Sequence, residues 1–400
     1  MGKYGDVPVP YAMAVHGPEE EHAVIDVLKN HKTILGEKTL QFESKIAKTF
    51  GKRHGVMVNS GSSANLLAVE LLRLPKGSEV ITPVLTFSTT IAPLLQKGLK
   101  PIFVDVGLGD YQIQVDNIED NITKNTRALM IPSLLGNVPD MNTLRQIANK
   151  HGLSFIEDSC DTLGATYDGK PTGAYSDIST TSFYGSHIIT AAGGGGMLCF
   201  NKDDWNRRAR ILRGWGRSSA VTESEDIDSR FNTQINGIPY DSKFIFEEVA
   251  YNFLPLELSS AFGLEQFKKL VTFAKIRKAN FNRLTKFFSK YKDIFSLPKQ
   301  SDRVETSWLA YPLTIKKGAS FTRRDITMYL EKNKVQTRPV FTGNILNQPA
   351  FKDIFKKSES SAYANADYIM KNAFVVGCHH GLSSKHLDKL EYLFEMFLGS

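Results

Sequence analysis

The chain has 400 residues, 42% of them hydrophobic and 23% charged, which is ample apolar material for the core of a globular protein. A chain of this length exceeds the roughly 250–300 residues of a single compact domain, so we expect a large domain and a smaller one. The formal net charge of +7 comes without a block of like charges, and we therefore expect no nucleic-acid-binding arm.

The first half of the chain alternates short apolar runs with helical stretches. A helix begins at Pro18 with three glutamates in its first turn. Runs rich in Val, Ile and Phe, bounded by Gly, Pro, Asp or Asn, then indicate strands. These runs are Gly55–Val58, Glu79–Pro83, Pro101–Val106, Ala128–Pro132, Leu153–Glu157, Ile178–Phe183 and Met197–Phe200, and helices at Ser63–Leu72, Thr90–Lys97 and Met141–His151 separate them.

This alternation predicts the α/β class, with a mostly parallel seven-stranded sheet covered by helices on both faces. Ligand sites in such sheets lie beyond the carboxyl ends of the strands. Polar residues at those strand ends are therefore the first candidates for a functional site.

The second half of the chain has a different organisation. The polar stretch Trp215–Asp241 is either an ordered loop at an active site or interface, or a flexible excursion. A long helix begins near Pro255–Leu270. Beyond it we predict strands at Trp308–Ile315 and Val335–Pro339 and helices at Thr322–Asn333 and His386–Leu398. The predicted domains are a large one over residues 1–265 and a small α+β one over residues 266–400.

The cysteines and the N-terminal residues indicate a cellular compartment. Cys160, Cys199 and Cys378 are far apart and form no CxxC pair, so neither a disulfide framework nor a self-contained metal site is expected. No apolar run approaches the roughly 20 residues of a membrane span, and no signal segment is visible. We expect a soluble, cytoplasmic protein that has no membrane partner.

Three polar segments follow predicted strands. The segment 59–65, with sequence NSGSSAN, opens a helix and is either a phosphate seat or a plain helix cap. Asp158 ends another strand and could pair with a protonated ring nitrogen, or cap the next helix. His187 follows a third strand and precedes the glycines at 193–196, which permit close ligand approach.

These segments, together with those at 83–90, 134–137, 251–253 and 338–344, resemble the DegT/DnrJ/EryC1/StrS sugar aminotransferase family over nearly the whole chain. The resemblance implies the aspartate aminotransferase fold (fold type I) and pyridoxal 5′-phosphate as cofactor. In that family a lysine after the Ser-Phe strand forms a Schiff base. In this chain His187 occupies the position, and no lysine lies between Lys170 and Lys202.

The histidine resembles one branch of the family, the nucleotide-sugar 3-dehydratases, which include a GDP-4-keto-6-deoxymannose type and a CDP-linked type. This implies removal of the C3 hydroxyl from a nucleotide-linked 4-keto-6-deoxy sugar. Because an imidazole forms no stable Schiff base, the cofactor would be held non-covalently and work as pyridoxamine phosphate. His187 would move the proton, and an ordinary imidazole pKa near 6.5 would suit it to act as both base and acid.

The resemblance also implies roles for individual residues. Asp158 would pair with the pyridinium nitrogen and Phe87 would stack on the ring. Asn252 would reach the phosphate of a neighbouring subunit, which implies a homodimer with shared active sites. The implied cofactor-binding residues are Gly61, Ser62, Ser63, Phe87, Asp158, Asp161, Ser182 and Asn252, and the implied substrate-binding residues are Asn137, Arg338 and Asn344.

The two dehydratase types differ in how they obtain electrons. The CDP-linked type carries an iron–sulfur cluster with closely spaced cysteines after an Arg-x-Trp-Gly-Arg word. In this chain the segment 213–221 contains no cysteine, so we expect no cluster, and glutamate as the amino donor. Gly193 and Leu254 replace a usual glutamate and a usual cation, which leaves open the amino donor and the exact substrate. The segment 241–252 resembles the CDP-linked type and the segment 255–257 the GDP-linked type, so the nucleotide also stays open.

Two other functions stay open. One is a different reaction on the same scaffold, such as transamination. The other is a non-catalytic binding protein that has lost its lysine. Cys378, His379 and His380 are a weak metal signal, and we expect no metal site.

Overall fold

The computed structural model describes residues 7–221, 227–352, 354 and 362–399. The strands, in chain order, are β1 His54–Val58, β2 Glu79–Pro83, β3 Lys100–Val104, β4 Thr126–Pro132, β5 Ser154–Asp158, β6 Thr166–Tyr167, β7 Lys170–Pro171, β8 Ile178–Ser182, β9 Gly196–Phe200, β10 Thr233–Ile235, β11 Ile238–Tyr240, β12 Phe295–Ser296, β13 Val304–Glu305, β14 Ala310–Ile315, β15 Thr337–Pro339 and β16 Ala373–Gly377. The helices are α1 Pro18–Lys29, α2 Glu37–Thr49, α3 Gly61–Leu71, α4 Ser88–Gln96, α5 Met141–His151, α6 Asp203–Arg213, α7 Ile227–Phe231, α8 Glu257–Phe288, α9 Arg323–Lys332, α10 Pro349–Lys352, α11 Ala364–Asn372 and α12 Ser384–Leu398.

A seven-stranded sheet forms the centre of the large domain, in the order β1-β9-β8-β5-β4-β2-β3. Only β9 runs antiparallel to its neighbours in this sheet. The predicted α/β class and mostly parallel seven-stranded sheet are therefore confirmed. The seven predicted strands match the observed ones to within two residues at each end, because these short apolar runs are buried on both faces.

Alternate side chains of each central strand enter different apolar layers. In β4, Ala128 and Met130 pack in a cluster with residues of α3 and α6, whereas Leu129 and Ile131 pack in a cluster with residues of α5. This two-residue period follows from the pleat of the strand. Helices therefore cover both faces of the sheet, whereas the carboxyl ends of its strands are not covered by them.

The small domain is built on a four-stranded sheet in the order β12-β14-β16-β15. Its apolar core also includes Val84, Leu85 and Leu135 of the large domain, so the two domains share one cluster. The predicted boundary at 265 and 266 falls inside α8, a helix of 32 residues. The N-terminal segment also crosses the predicted division, because Val9 pairs with Val335 of the small domain. The exact division stays a prediction.

The predicted loop Trp215–Asp241 contains short elements where it is described. It includes α7 and the hairpin of β10 and β11, whose strand residues are mostly exposed. Residues 222–226 lie outside the described part of the chain. Among the described residues, none of the helices combines the length and the apolar character needed to cross a bilayer.

Gly263 tests how tightly α8 packs on the large domain. A Cβ atom at this glycine would lie 2.7 Å from the ring of Phe42, which is fully buried. We expect Gly263→Ala to lower the free energy of unfolding by about 1–2 kcal/mol, because overpacking outweighs the gain in helix propensity.

Urea unfolding of four proteins measures this effect: wild type, Gly263→Ala, Phe42→Leu and the double variant. The double variant should be more stable than the sum of the two single effects predicts, since the smaller leucine makes room for the new methyl group. A Gly263→Ala protein as stable as the wild type would contradict this close packing of α8 on Phe42.

Candidate active site

A cavity of about 920 Å³ opens at the carboxyl ends of β4, β5 and β8, beside the N-terminus of α3. This is the position that parallel sheets offer to ligands. The large domain provides most of the wall, and the small domain closes one side. The wall residues used below are Tyr11, Ser60, Gly61, Ser62, Asn65, Phe87, Thr90, Leu135, Asp158, Cys160, Asp161, Ser182, His187, Leu309 and Arg338.

Asp158, the last residue of β5, is held by three donors. Its Oδ2 accepts hydrogen bonds from the Asn65 amide at 2.8 Å and the Thr90 hydroxyl at 2.9 Å. Its Oδ1 accepts from the backbone N–H of Cys160 at 3.3 Å. Asp158 is thus a buried carboxyl group held in one orientation at the cavity wall, which suits its predicted pairing with a protonated ring nitrogen.

The first turn of α3 forms a close-packed corner of the cavity. A Cβ atom at Gly61 would lie 2.6 Å from the Cβ of Ser182 and 2.9 Å from the sulfur of Cys160, so only glycine fits. Ser60 caps the helix, and Ser62 donates to Thr89 at 3.0 Å. Backbone N–H groups at a helix N-terminus bind anions well. This corner brings the predicted residues Gly61, Ser62 and Ser182 together.

Ser63 lies behind this corner. Its hydroxyl donates to the side chain of Asn59 at 2.7 Å, and its backbone N–H donates to Ser60. It is not among the wall residues of the cavity. The structure thus gives Ser63 a supporting place behind the predicted phosphate seat, because the first helical turn points its side chain back toward the preceding loop.

His187 lies on the loop after β8, and its side chain is 16% exposed. Its Nε2 is 3.8 Å from Oδ1 of Asp161, and Nδ1 has no hydrogen-bond partner among the described residues. Burial lowers the pKa of His187 to about 4. The expectation of an ordinary pKa near 6.5 was wrong, because the cavity wall excludes the water that stabilises an imidazolium. At neutral pH the imidazole is uncharged and can accept a proton.

Asp161 is also buried, but its pKa is shifted upward, whereas the pKa of His187 is shifted downward. Its Oδ2 accepts from the backbone N–H of Leu135 at 3.0 Å. Burial, and then the negative charge of Asp158, raise the pKa of Asp161 to about 7. Two carboxyl groups in one poorly hydrated cavity cannot both ionise without cost.

Other predicted residues lie at the cavity mouth or away from it. Phe87 is 50% exposed at the mouth and meets the ring of Phe341 edge-on. Arg338 also lines the cavity and is exposed. Asn252 is exposed, and its side chain accepts from the backbone of Leu254 at 3.4 Å, outside this cavity.

Asn137 and Asn344 lie outside the cavity and serve the backbone. The amide of Asn137 donates to the carbonyls of Asp110 and Lys299 at 3.0 Å each. Asn344 is fully buried, bonds to Asp367 and caps the turn at Leu346. Their predicted contact with substrate has no support in this geometry, because both side chains point into the fold.

The structure describes Gly193 and Leu254, the two residues that depart from the family pattern. Gly193 has a positive φ of 90°, and no atom lies within 4 Å of the position that a Cβ would take, so there is room for a side chain but a strained backbone. Leu254 is half-buried beside Asn252. Neither position lines the cavity within this chain.

Sequence reasoning missed several contributors. Asn65 and Thr90 hold Asp158, and Tyr11 forms part of the wall. Asn65 lies one helical turn after Gly61, so its spacing could have indicated it. Tyr11 carried no such signal, because it reaches the cavity from the far end of the chain.

The cysteines do not meet. Cys160 lies at the cavity, whereas Cys199 is buried in β9 and Cys378 is buried after β16. In the described part of the chain, no group of three or more His, Cys, Asp or Glu side chains is arranged to hold a metal ion.

The chain matches the DegT/DnrJ/EryC1/StrS aminotransferase family over residues 15–392. It is 35% identical to dTDP-4-dehydro-2,6-dideoxy-D-glucose 3-dehydratase of Saccharopolyspora spinosa, over 96% of this chain and 85% of that protein. It is 33% identical to GDP-4-keto-6-deoxy-D-mannose 3-dehydratase of Escherichia coli O55:H7, over 97% of this chain and 98% of that protein.

A solved structure shows the same fold. It is GDP-4-keto-6-deoxymannose-3-dehydratase with a trapped PLP–glutamate geminal diamine, with a TM-score of 0.83, 30% identity and coverage of 97% of this chain and 99% of that one. Together with the sheet topology, this likeness confirms the predicted fold class.

The raised pKa of Asp161 predicts a pH-dependent stability. Its folded pKa of about 7 exceeds the ordinary value of 3.8, so ionisation costs stability as the pH rises between these values. We expect Asp161→Asn in the cofactor-free protein to raise the free energy of unfolding at pH 8 by roughly 2 kcal/mol or more.

Unfolding at pH 8 and near pH 4 tests this, since the gain should vanish at the lower pH. Asp325→Asn is the control and should give no such gain, because its carboxylate accepts from Thr322 away from the cavity and its pKa is lowered rather than raised. An equal gain at both pH values would contradict the assignment to Asp161.

Proposed function

Because the chain belongs to the DegT/DnrJ/EryC1/StrS aminotransferase family, we propose that it is a pyridoxal or pyridoxamine phosphate-dependent dehydratase. Its reaction removes the C3 hydroxyl of a nucleotide-linked 4-keto-6-deoxy sugar. One observation carries the proposal: the cavity holds the imidazole of His187 with its Nε2 3.8 Å from Oδ1 of Asp161, and none of its described wall residues is a lysine. An amine that could bind the cofactor covalently is replaced by a base.

The wall residues fit this cofactor. The corner at Gly61, Ser62 and Ser182 matches a phosphate, because a Cβ at Gly61 would fill the space that the backbone leaves. Asp158 matches a protonated pyridine nitrogen, and Phe87 lies where a ring could stack. Pyridoxamine phosphate supplies the amine that condenses with the sugar ketone and the ring that accepts electrons. Without a lysine at 187, the chain holds it non-covalently.

His187 performs the proton transfer. Its imidazole is uncharged at neutral pH and buried, so it would accept the proton that the bound cofactor makes acidic. The cofactor would supply the electron pair that displaces the C3 hydroxyl, which would leave as water after taking up a proton. The low pKa makes protonated His187 a strong acid, and it can therefore return the proton to the departing hydroxyl.

Glutamate balances the reaction. The sugar gains two electrons when it loses its C3 oxygen, and oxidation of glutamate to 2-oxoglutarate supplies them. Ammonia is then released, and no external reductase is required. The whole chain contains three cysteines, which lie at three separate places, so we propose that no iron–sulfur cluster takes part.

A homodimer completes the proposal. Large apolar side chains are exposed near Asn252, which is itself outside its own subunit's cavity. Val249 is fully exposed, and Phe244, Phe246 and Leu256 are more than half exposed. Such a patch is typical of a protein–protein interface. We propose that it packs on a second copy and that Asn252 reaches the cofactor phosphate bound there.

The reaction is tested with purified protein, pyridoxamine phosphate, glutamate and the GDP-, CDP- or dTDP-linked 4-keto-6-deoxyhexose. Mass analysis should show a sugar nucleotide that has lost one oxygen atom, together with ammonia and 2-oxoglutarate. His187→Asn should slow this reaction about 10²–10⁴-fold, the usual contribution of a general base, and retain the cofactor.

An amino sugar as product would instead mean a transaminase, and failure to bind the cofactor would mean a non-catalytic protein. Borohydride should leave the wild-type chain unlabelled by the cofactor. His187→Lys is the positive control for that treatment, since it restores an amine at this position.

Shared active sites predict complementation. His187→Asn and Asn252→Ala should each be nearly inactive, whereas co-expressed subunits should recover about one quarter of the wild-type sites. Half of the dimers are mixed, and each mixed dimer combines His187 of one subunit with Asn252 of the other at one site. Mixtures without recovery would contradict the contribution of Asn252 to a neighbouring subunit.

A further inference from the structure

We propose that Arg277 is a positioning residue that holds the loop of His187 against the small domain, so that the base is placed only when both domains are correctly packed. The inference rests on the proposed role of His187 as the base. Arg277 lies on α8, the helix shared by the two domains, and its side chain is fully buried.

The guanidinium group of Arg277 donates in three directions. Nη2 donates to the backbone carbonyl of His187 at 3.2 Å. Nη1 donates to the carbonyls of Trp308 and Leu309 at 3.3 and 3.1 Å, immediately before β14. Nε donates to Nδ1 of His380 at 3.2 Å. A planar fork with donors at fixed angles can join three segments in this way, whereas a lysine cannot.

All four acceptors are uncharged. Burying a cation without a directly bonded carboxylate costs several kcal/mol, which a packing role alone does not explain. Burial lowers the pKa of Arg277, and the carboxyl group of Asp161 opposes this shift, just as Arg277 lowers the pKa of Asp161. Arg277 therefore connects the loop that carries His187 to the carboxyl group of Asp161 in the cavity.

Two histidines next to Arg277 extend its contacts toward the wall segment at Tyr11. His380 stacks on Phe273 with ring centres 3.8 Å apart, and because arginine only donates, its Nδ1 must be unprotonated. The neighbouring His379 bonds to the carbonyl of Pro10 at 3.1 Å. Pro10 precedes Tyr11, which lines the cavity. Two adjacent histidines thus bond to the two parts of the site: His380 to Arg277, and His379 to the N-terminal wall segment.

The charged groups that face His187 are Asp158 and Asp161 from the large domain and Arg277 from α8. Burial is the largest cause of the low pKa of His187; Asp158 raises this pKa, and Arg277 lowers it further. Removal of the Arg277 charge should therefore shift the His187 pKa upward. Because looser packing would also admit water and raise this pKa, the comparison with Arg277→Lys, which keeps the charge, separates the two causes.

The test uses the full-length protein and the variants Arg277→Met and Arg277→Lys. Histidine NMR titration of the cofactor-free protein, with the His187 signal identified by its loss in His187→Asn, should show a raised His187 pKa in Arg277→Met. Arg277→Lys keeps the charge and should keep the low pKa. Both variants should lose about 10²-fold in kcat, the scale of a small misplacement of a catalytic group, with little change in KM or cofactor affinity.

Arg323→Met is the matched control, because Arg323 also donates to backbone carbonyls, those of Met370 and Ala373, but far from His187. It should lower stability and leave kcat and the His187 titration unchanged. Wild-type kcat in Arg277→Lys, or an unmoved His187 pKa in folded Arg277→Met, would overturn the inference. Should Arg277→Met not fold, Arg277→Lys decides by kcat alone. A fully active His187→Asn would instead overturn the proposed function.

Discussion

Two carboxyl groups, Asp158 and Asp161, share one buried cavity, and the polar groups around it are arranged to make that possible. Asp158 accepts hydrogen bonds from three donors, which fix its position. Burial, and then the charge of Asp158, raise the pKa of Asp161. The same burial keeps His187 uncharged. One constraint, the low hydration of the cavity, thus raises the pKa of an acid, Asp161, and lowers the pKa of a base, His187, 3.8 Å away.

The backbone at Leu135, between the two domains, also provides a polar group to this cavity. Leu135 adopts a positive φ of 61°, a conformation that costs energy for a residue with a side chain. In return, its N–H reaches Asp161 and its carbonyl accepts from the N–H of Leu309 at 2.8 Å. Arg277 donates to the carbonyl of the same Leu309. The acid, the base loop and the small domain are therefore connected through one short segment.

Much of the fold was predictable because its signals are local. Buried strands give short apolar runs, and their ends carry the polar residues of the site, so Asp158, Ser182 and His187 were found from the sequence. The missed residues have partners that are distant in the chain. Arg277 and His187 are 90 positions apart, and Asn65 and Asp158 are 93 apart. No periodicity reports such pairs, because only packing brings them together.

The sequence alone determined the order of the strands along the chain and the corner at Gly61, since both depend on residue type and local spacing. The family resemblance of the sequence placed His187 at the position of the lysine. Only the tertiary structure decided which polar residues face the cavity. It turned Asn137 and Asn344 toward backbone groups and brought Tyr11 and Arg277 to the site. It also set the protonation of His187, because the pKa of a side chain depends on the water that its neighbours exclude.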